Sequence, residues 1–293
     1  MLLRLAPALF VLLWSTGFIA AKLGSLDAEP FTFLTLRFVL VLAIMMPLVA
    51  LLARRRLSVA ERGHAAVVGG LIHGFYLAGV FWAVRHGMPA GVVALIVSLQ
   101  PIVTAIASGP LLGETVTGRH WSGLVLGLVG SALVLAPRMD LADTGVTAAT
   151  VSAALIALAG ITAGTLYQKR FASGIDIGSG AVWQYLGALA LTASGALLTE
   201  SGRIEWTAGF VVALAWLVLV LSIGAISLLM LLIRHSAVSR ITGLFYLVPA
   251  TTALLAWALF GETLQPIQLA GMALVTIAVL LIRPAAPPSP GRR

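Results

Sequence analysis

The 293-residue chain contains no cysteine. That removes disulfide bonds, thiolate metal sites and cysteine nucleophiles together. Charge is the second shortage: Asp, Glu, Lys and Arg make up 10% of the residues, against about 25% in soluble chains. No Walker A loop is present, so ATP hydrolysis by this chain is not expected. The five histidines, His64, His73, His86, His120 and His235, are scattered and show no metal-ligand spacing. Neither an enzyme nor a metal or cofactor site is expected. Acidic residues are missing from every long apolar stretch. Proton relays and cation pumps usually place carboxylates inside the membrane, so a carboxylate-driven mechanism is disfavoured.

What remains is apolar. Hydrophobic residues make up 60% of the chain and the mean hydropathy is +1.07. A bilayer-spanning helix takes about 20 such residues. Apolar runs and their Pro, Gly and charged breaks predict ten spans, at 4–24, 31–52, 65–84, 90–112, 119–136, 147–171, 178–199, 209–233, 239–260 and 265–283. These runs are too long and unbroken for the alternating strands of a porin-like barrel. Residues 284–293 are Pro-rich and read as a disordered tail. The start, with Arg4, an apolar run and Ala20-Ala21, has the look of a secretory signal. Trp14, Ser15, Thr16 and Gly17 at its middle, and a counterpart later in the chain, predict that it is retained as a span.

The net charge is +8, yet the basic residues do not gather on one polar segment, so nucleic acid is not an expected partner. They sit between apolar runs. With the N-terminus inside, one side holds Arg54, Arg55, Arg56, Arg62, Arg119, Lys169, Arg170, Arg234 and Arg240, and the other only Lys22, Arg85, Arg138 and Arg203. Lys/Arg bias sets orientation, so both termini are expected on the cytoplasmic side of the cell's inner membrane.

The chain repeats itself at an interval of 148 residues. Pro101, Thr104, Ala105, Leu111, Gly113, Glu114, Thr115 and Gly123 fall on Pro249, Thr252, Ala253, Leu259, Gly261, Glu262, Thr263 and Gly271. Apolar bias alone would match Leu and Ala, but not Pro, Gly-Glu-Thr and Gly at one spacing. The reading is a duplication, 1–137 and 138–283. With an odd number of spans per half, the second half enters the membrane in the opposite direction. Inverted repeats build secondary transporters, with the substrate near mid-membrane where the halves meet. The expected fold is therefore an all-α integral membrane protein of two inverted five-helix repeats around a central cavity.

The Trp14-Ser15-Thr16 start ending in Lys22, Leu36-Arg37-Phe38 in the second span and the doubled P…GET…G resemble the EamA-domain transporters of the drug/metabolite transporter superfamily. The resemblance covers residues 4–283 and implies export of small metabolites, commonly amino acids or related compounds.

Pro101 and Pro249 lie inside apolar runs at equivalent places. Each removes a backbone donor and frees the carbonyl one turn back, at Val97 and Phe245. Paired interruptions point to the binding site of such folds, although a packing kink gives the same pattern. Mid-span polar and aromatic residues should face the interior, because an unpaired polar group in lipid costs several kcal/mol. Those are His73, Tyr76, Gln100, Gln184 and Tyr246, with Ser98 beside the first proline and Trp14, Tyr167 and Trp183 as aromatic faces. Trp14 serves equally as helix packing. Trp121, Trp206 and Trp257 read as an interfacial belt. His73 is either a proton-coupling group or a buried neutral histidine. Arg37 and Lys22 are candidates for a substrate carboxylate; Arg37, this near a span end, can also bridge helices or snorkel to the interface, and headgroup contact is the simpler role for Lys22. Glu114 and Glu262 read as caps for the helix that follows each. Neutral or aromatic amino acids fit this set best. Sugars, nucleosides and cationic drugs are the alternative, since aromatic stacking serves them too. Oligomeric state is not readable from the sequence.

Overall fold

The computed structural model describes residues 2–24, 27–52, 56–139, 145–261 and 263–282. Among these residues the chain is all helix, apart from one isolated bridge, Ala28 to Ile204. We name the helices α1 (Leu2–Gly24), α2 (Pro30–Leu52), α3 (Val59–Arg85), α4 (Ala90–Leu112), α5 (Gly118–Leu135), α6 (Ala148–Ala172), α7 (Ile177–Thr199), α8 (Ala208–His235), α9 (Val238–Leu259) and α10 (Pro266–Leu281). The eight from α2 to α9 are long and apolar enough to cross a membrane. Leu5–Gly17 within α1, and α10, are shorter apolar helices. Large apolar side chains such as Ile106, Val125, Val212, Leu219 and Leu280 point outward, as a lipid-facing surface requires. The chain is a multi-pass, all-helical membrane protein.

The expected start of the third span at residue 65 is corrected to Val59. Ser58 accepts from the Glu61 N–H, and the Glu61 carboxylate accepts from the Ser58 N–H, so a capping box opens the helix within polar sequence. Hydropathy does not register that turn. Asp140, Asp143, Glu262, Arg54, Arg55 and the tail 284–293 lie outside the described residues.

Three helices widen locally into π turns: α3 at Gly70–Phe75, α6 at Gln168–Ala172 and α8 at Leu217–Ala225. The first and third overlap when shifted by the repeat interval. The fourth helix of each half is interrupted at an equivalent place too. In α4 a turn at Ser98-Leu99 precedes Pro101, and in α9 a 3-10 turn at Leu244–Tyr246 precedes Pro249. Both breaks fall one turn before the proline, where the missing N–H leaves the ladder open.

Repeat-equivalent α5 and α10 pack against each other with their backbones close. A methyl group on Gly123 would lie 2.8 Å from the Ala278 carbonyl oxygen, and one on Gly130 would lie 2.9 Å from that of Gly271. As the chain rises from 123 to 130 the partner falls from 278 to 271, so the two helices are antiparallel. Gly123 is equivalent to Gly271, and Gly130 to Ala278. Each contact is therefore the other with the halves exchanged.

Candidate functional site

Arg37 is a basic side chain buried well inside a helix. It lies about 10 Å along α2 from Pro30 and is 5% exposed. Its Nε donates to Ser222 Oγ at 3.0 Å. Tyr76 and Tyr185 lie near enough to interact with its charge, and its Cζ lies 6.0 Å from the Phe38 ring. Ser222 sits in the π turn of α8, which shifts the backbone ladder and makes a carbonyl available to an outside donor. The Tyr185 hydroxyl donates to the Ser222 carbonyl at 2.6 Å. α2, α3, α7 and α8 thus converge on one guanidinium. Among the described residues no carboxylate pairs with it: the acidic residues sit at helix ends and in loops.

His73, in the π turn of α3, continues this cluster. Its imidazole stacks on Tyr185 at 4.9 Å with 16° between planes, and Nε2 has no hydrogen-bond partner. Gln184 lies beside it. Gln184 Nε2 donates to Gln168 Oε1 at 3.3 Å, and Gln184 Oε1 is unpartnered. Gln168 and Gln184 line a narrow cleft with Asp176, Met230 and Arg234, open at the molecular face that carries Glu114. A polar line therefore runs from that face through Gln168, Gln184 and His73 to Tyr185, Ser222 and Arg37.

A second group lies between α4 and α6. Gln100 Nε2 donates to Thr165 Oγ1 at 3.5 Å, while Gln100 Oε1 and the hydroxyls of Thr104 and Thr162 are buried without partners. Ser98 is closer to self-sufficient, its Oγ donating to the Leu95 carbonyl. Trp14 is used in packing, 5.2 Å from Phe10 and 5.3 Å edge-on to Phe245. Tyr246 is fully buried against Gly127, with its hydroxyl unpartnered.

The sequence-derived set is not one cluster. Arg37, His73, Tyr76 and Gln184 come together. Tyr167 and Trp183 belong instead to the Glu114 face, where the Tyr167 hydroxyl bonds His64 Nδ1 at 2.8 Å and the Arg62 guanidinium lies 5.3 Å over the Trp183 ring. A second cavity, lined by residues including Pro7, His235, Arg240, Leu244 and Val279, also opens on that face. Neither cavity takes in Trp14, Arg37, Gln100 or Tyr246. In this structure Trp14, Arg37, Gln100 and Tyr246 are buried among packed side chains. Trp206 and Trp257 are exposed as a belt requires, whereas Trp121 is half-buried against the α5–α9–α10 core.

Glu114 caps a helix, but not the one that follows it. Its oxygens accept from the Val238 N–H at 2.8 Å, the Ser239 N–H at 3.2 Å and the Ser239 hydroxyl at 2.9 Å, all at the start of α9 in the other half. Thr117 caps α5 itself. Glu262 and the side chain of Lys22 lie outside the described residues. On the opposite face Glu200 accepts from the N–H groups of Phe31 and Thr32, capping α2 from across the halves. Arg170 donates to the Leu111 carbonyl at the end of α4, and Lys169 donates to the carbonyls of Ile233 and Ser236. Cations at helix C-termini are favourably placed against the dipole.

Sequence reasoning missed Tyr185, Ser222 and Gln168. The first two sit at mid-span and carried the same depth signal as Gln184. The π turns left no pattern by which to find them.

Comparison with known proteins agrees with this architecture. The EamA-like transporter family matches residues 4–136 and again 148–283. The chain is 26% identical to an uncharacterized transporter of Bacillus subtilis, YvbV, covering 94% of this chain and 89% of the relative. It is 25% identical to the uncharacterized inner membrane transporter YedA of Escherichia coli K12, covering 96% and 91%. A probable amino-acid metabolite efflux pump of Salmonella typhimurium is 25% identical over 91% of this chain and 90% of its own. A solved crystal structure shares the fold with a TM-score of 0.78 at 21% identity, covering 96% of both chains. These names indicate transport rather than catalysis. Matched twice and over nearly its whole length, the chain belongs to the EamA-like transporter family.

Proposed function

We propose that this protein is a secondary transporter that exports small carboxylate-bearing metabolites, neutral and aromatic amino acids foremost, by alternating access. One observation carries the reading. A guanidinium is buried within the membrane region against Tyr76, Tyr185 and Ser222 and has no carboxylate partner among the described residues. An ionisable group at such depth marks a substrate or ion pathway, and a guanidinium matches a carboxylate in charge and fork geometry. The efflux-pump name of one relative supports the direction and the substrate class. A cationic drug would meet repulsion at Arg37, which disfavours that alternative.

The transport cycle follows from ten spans in two inverted halves, 1–137 and 138–283, with both termini cytoplasmic. The antiparallel packing of repeat-equivalent α5 and α10 supports the inversion. The equivalent breaks before Pro101 and Pro249 supply places where each fourth helix bends. Gln100, Thr165 and Tyr246 offer neutral hydrogen-bonding groups once the halves part. Access from the cytoplasm begins at the Gln168–Gln184 cleft.

Counterflow of a radiolabelled amino-acid panel in proteoliposomes, with and without a pH gradient, tests the reading. Neutral or aromatic amino acids are expected to exchange irrespective of the gradient. Gln100→Ala and Tyr246→Ala should lower flux at least tenfold while the protein still inserts. Dependence on the gradient would instead make His73 the coupling group, and absence of flux for every amino acid would remove the substrate class.

A further inference from the structure

The charge balance around Arg37 distinguishes two kinds of carboxylate. Arg37 is the one cation among the described residues held in the interior away from a helix end. Its neighbours are Ser222, in hydrogen-bond contact, the Phe38 ring, Tyr76, Tyr185 and the His73 imidazole, none of them a carboxylate. The acidic side chains described are engaged elsewhere or lie in loops. Glu114 caps α9, Glu200 caps α2, Asp176 caps α7, Glu61 closes the capping box of α3, and Glu29 accepts from Ser201 and Arg203. The vicinity therefore carries one uncompensated positive charge, and burying a charge is costly unless it is paired.

A zwitterionic amino acid brings its own ammonium, so the occupied site would keep its net charge of one. The ammonium would also sit near Arg37, where the unpartnered groups close to the cluster, the Gln184 carbonyl oxygen and His73 Nε2, carry no negative charge. A carboxylate with an uncharged α-position leaves the site neutral and fills the aromatic walls with its apolar body. From this we infer that the preferred substrate is an apolar organic monoanion, a 2-oxo or 2-hydroxy acid of amino-acid size, and that its movement carries one negative charge across the membrane. The inference rests on the transporter reading with its carboxylate-bearing substrate class, and within that class it puts the anion ahead of the zwitterionic amino acid. It also supplies a driving force without a membrane carboxylate. A potential that is negative inside pushes an anion outward, and 100 mV shifts the equilibrium ratio of a univalent ion about fifty-fold.

The test uses the full chain in proteoliposomes with a matched pair, L-phenylalanine and phenylpyruvate, which differ at the α-carbon in charge. Potassium diffusion potentials of either sign are set with valinomycin. Phenylpyruvate is expected to be carried at least tenfold faster than phenylalanine and to redistribute with the potential by about the factor above. Arg37→Lys should retain that response and Arg37→Gln should lose flux at least tenfold. Should the glutamine variant fail to fold, melting curves of the unaltered protein decide the point: phenylpyruvate, and not phenylalanine, should raise its melting temperature. Flux of phenylalanine without phenylpyruvate, or phenylpyruvate flux indifferent to potential, overturns the anion inference and leaves the transporter standing. Absence of flux for both, and for the wider amino-acid panel, overturns the two together.

Discussion

The Glu114 carboxylate holds the first turn of a helix that lies 124 residues further along the chain, accepting the Val238 N–H at 2.8 Å. A side chain of the first half thus closes the start of α9 in the second. On the opposite face Glu200 of the second half does the same for α2 of the first, at 2.8 Å from the Phe31 nitrogen and 2.7 Å from that of Thr32. On each face of the molecule a carboxylate of one half thus caps a helix N-terminus of the other.

Glu114→Ala should cost about 0.5–2 kcal/mol, the range for losing a cap, because the orphan donors of α9 lose their partner. A lower melting temperature of the purified protein in detergent is the expected reading. No change would mean that another group takes over the cap.

The tie between the α1–α2 and α7–α8 loops responds to acid in a defined direction. The Arg203 N–H, first among its hydrogen bonds, holds the Glu29 carboxylate below the usual glutamate range, with Ser201 adding to the effect. A lowered pKa contributes stability that is complete above the ordinary value of about 4.3 and is lost as pH falls through the folded one. Protection of the Ser201 and Arg203 amides, taken relative to the intrinsic exchange rate at each pH, should therefore persist at neutral pH and be lost only in strong acid. Glu29→Gln should give fast exchange already at neutral pH.

Gly271→Ala brings a methyl group 2.6 Å from the Gly130 carbonyl oxygen, a backbone atom that cannot swing aside. Overpacking of this kind costs about 1–3 kcal/mol. Gly63→Ala is the matched control, since nothing lies within 4 Å of its added methyl. Alanine there should raise stability by up to about 1 kcal/mol. Equal melting temperatures for the two variants would argue against the close α5–α10 crossing.

Tyr185→Phe removes the donor to the Ser222 carbonyl and leaves that group buried without a partner. The cost is about 1–3 kcal/mol, and the π turn of α8 should lose its fixed geometry against Arg37. Substrate affinity is expected to weaken with the aromatic surface intact, read as a raised KM in counterflow. An unchanged KM would separate Tyr185 from the substrate.

Hydropathy and the doubled P…GET…G made the helical architecture and its two-fold repetition legible, because both depend on residue type at fixed spacing. The interior position of Arg37, His73, Tyr76 and Gln184 was legible for the same reason: polar groups in lipid must find protein. The partners were not. Ser222 and Tyr185 meet Arg37 because three separate helices converge, and convergence leaves no mark on any one of them. Glu114 carried the right signal for a cap but not the identity of the helix, since Val238 is distant in sequence and near only in the folded chain. Tyr167 and Trp183 were displaced from the expected site because aromatic type at a span end does not reveal which way the ring turns.

The π turns of α3 and α8 have a further consequence. An inserted residue turns everything beyond it by about 100° relative to a continuous α-helix. A helical wheel drawn through the whole of Val59–Arg85 therefore merges two stripes that face different surroundings. Because the chain has no native cysteine, single cysteines placed one by one along α3 would report their surroundings without background. Their labelling pattern should run with a steady period up to Gly70, jump in phase across Gly70–Phe75, and resume the same period toward Arg85.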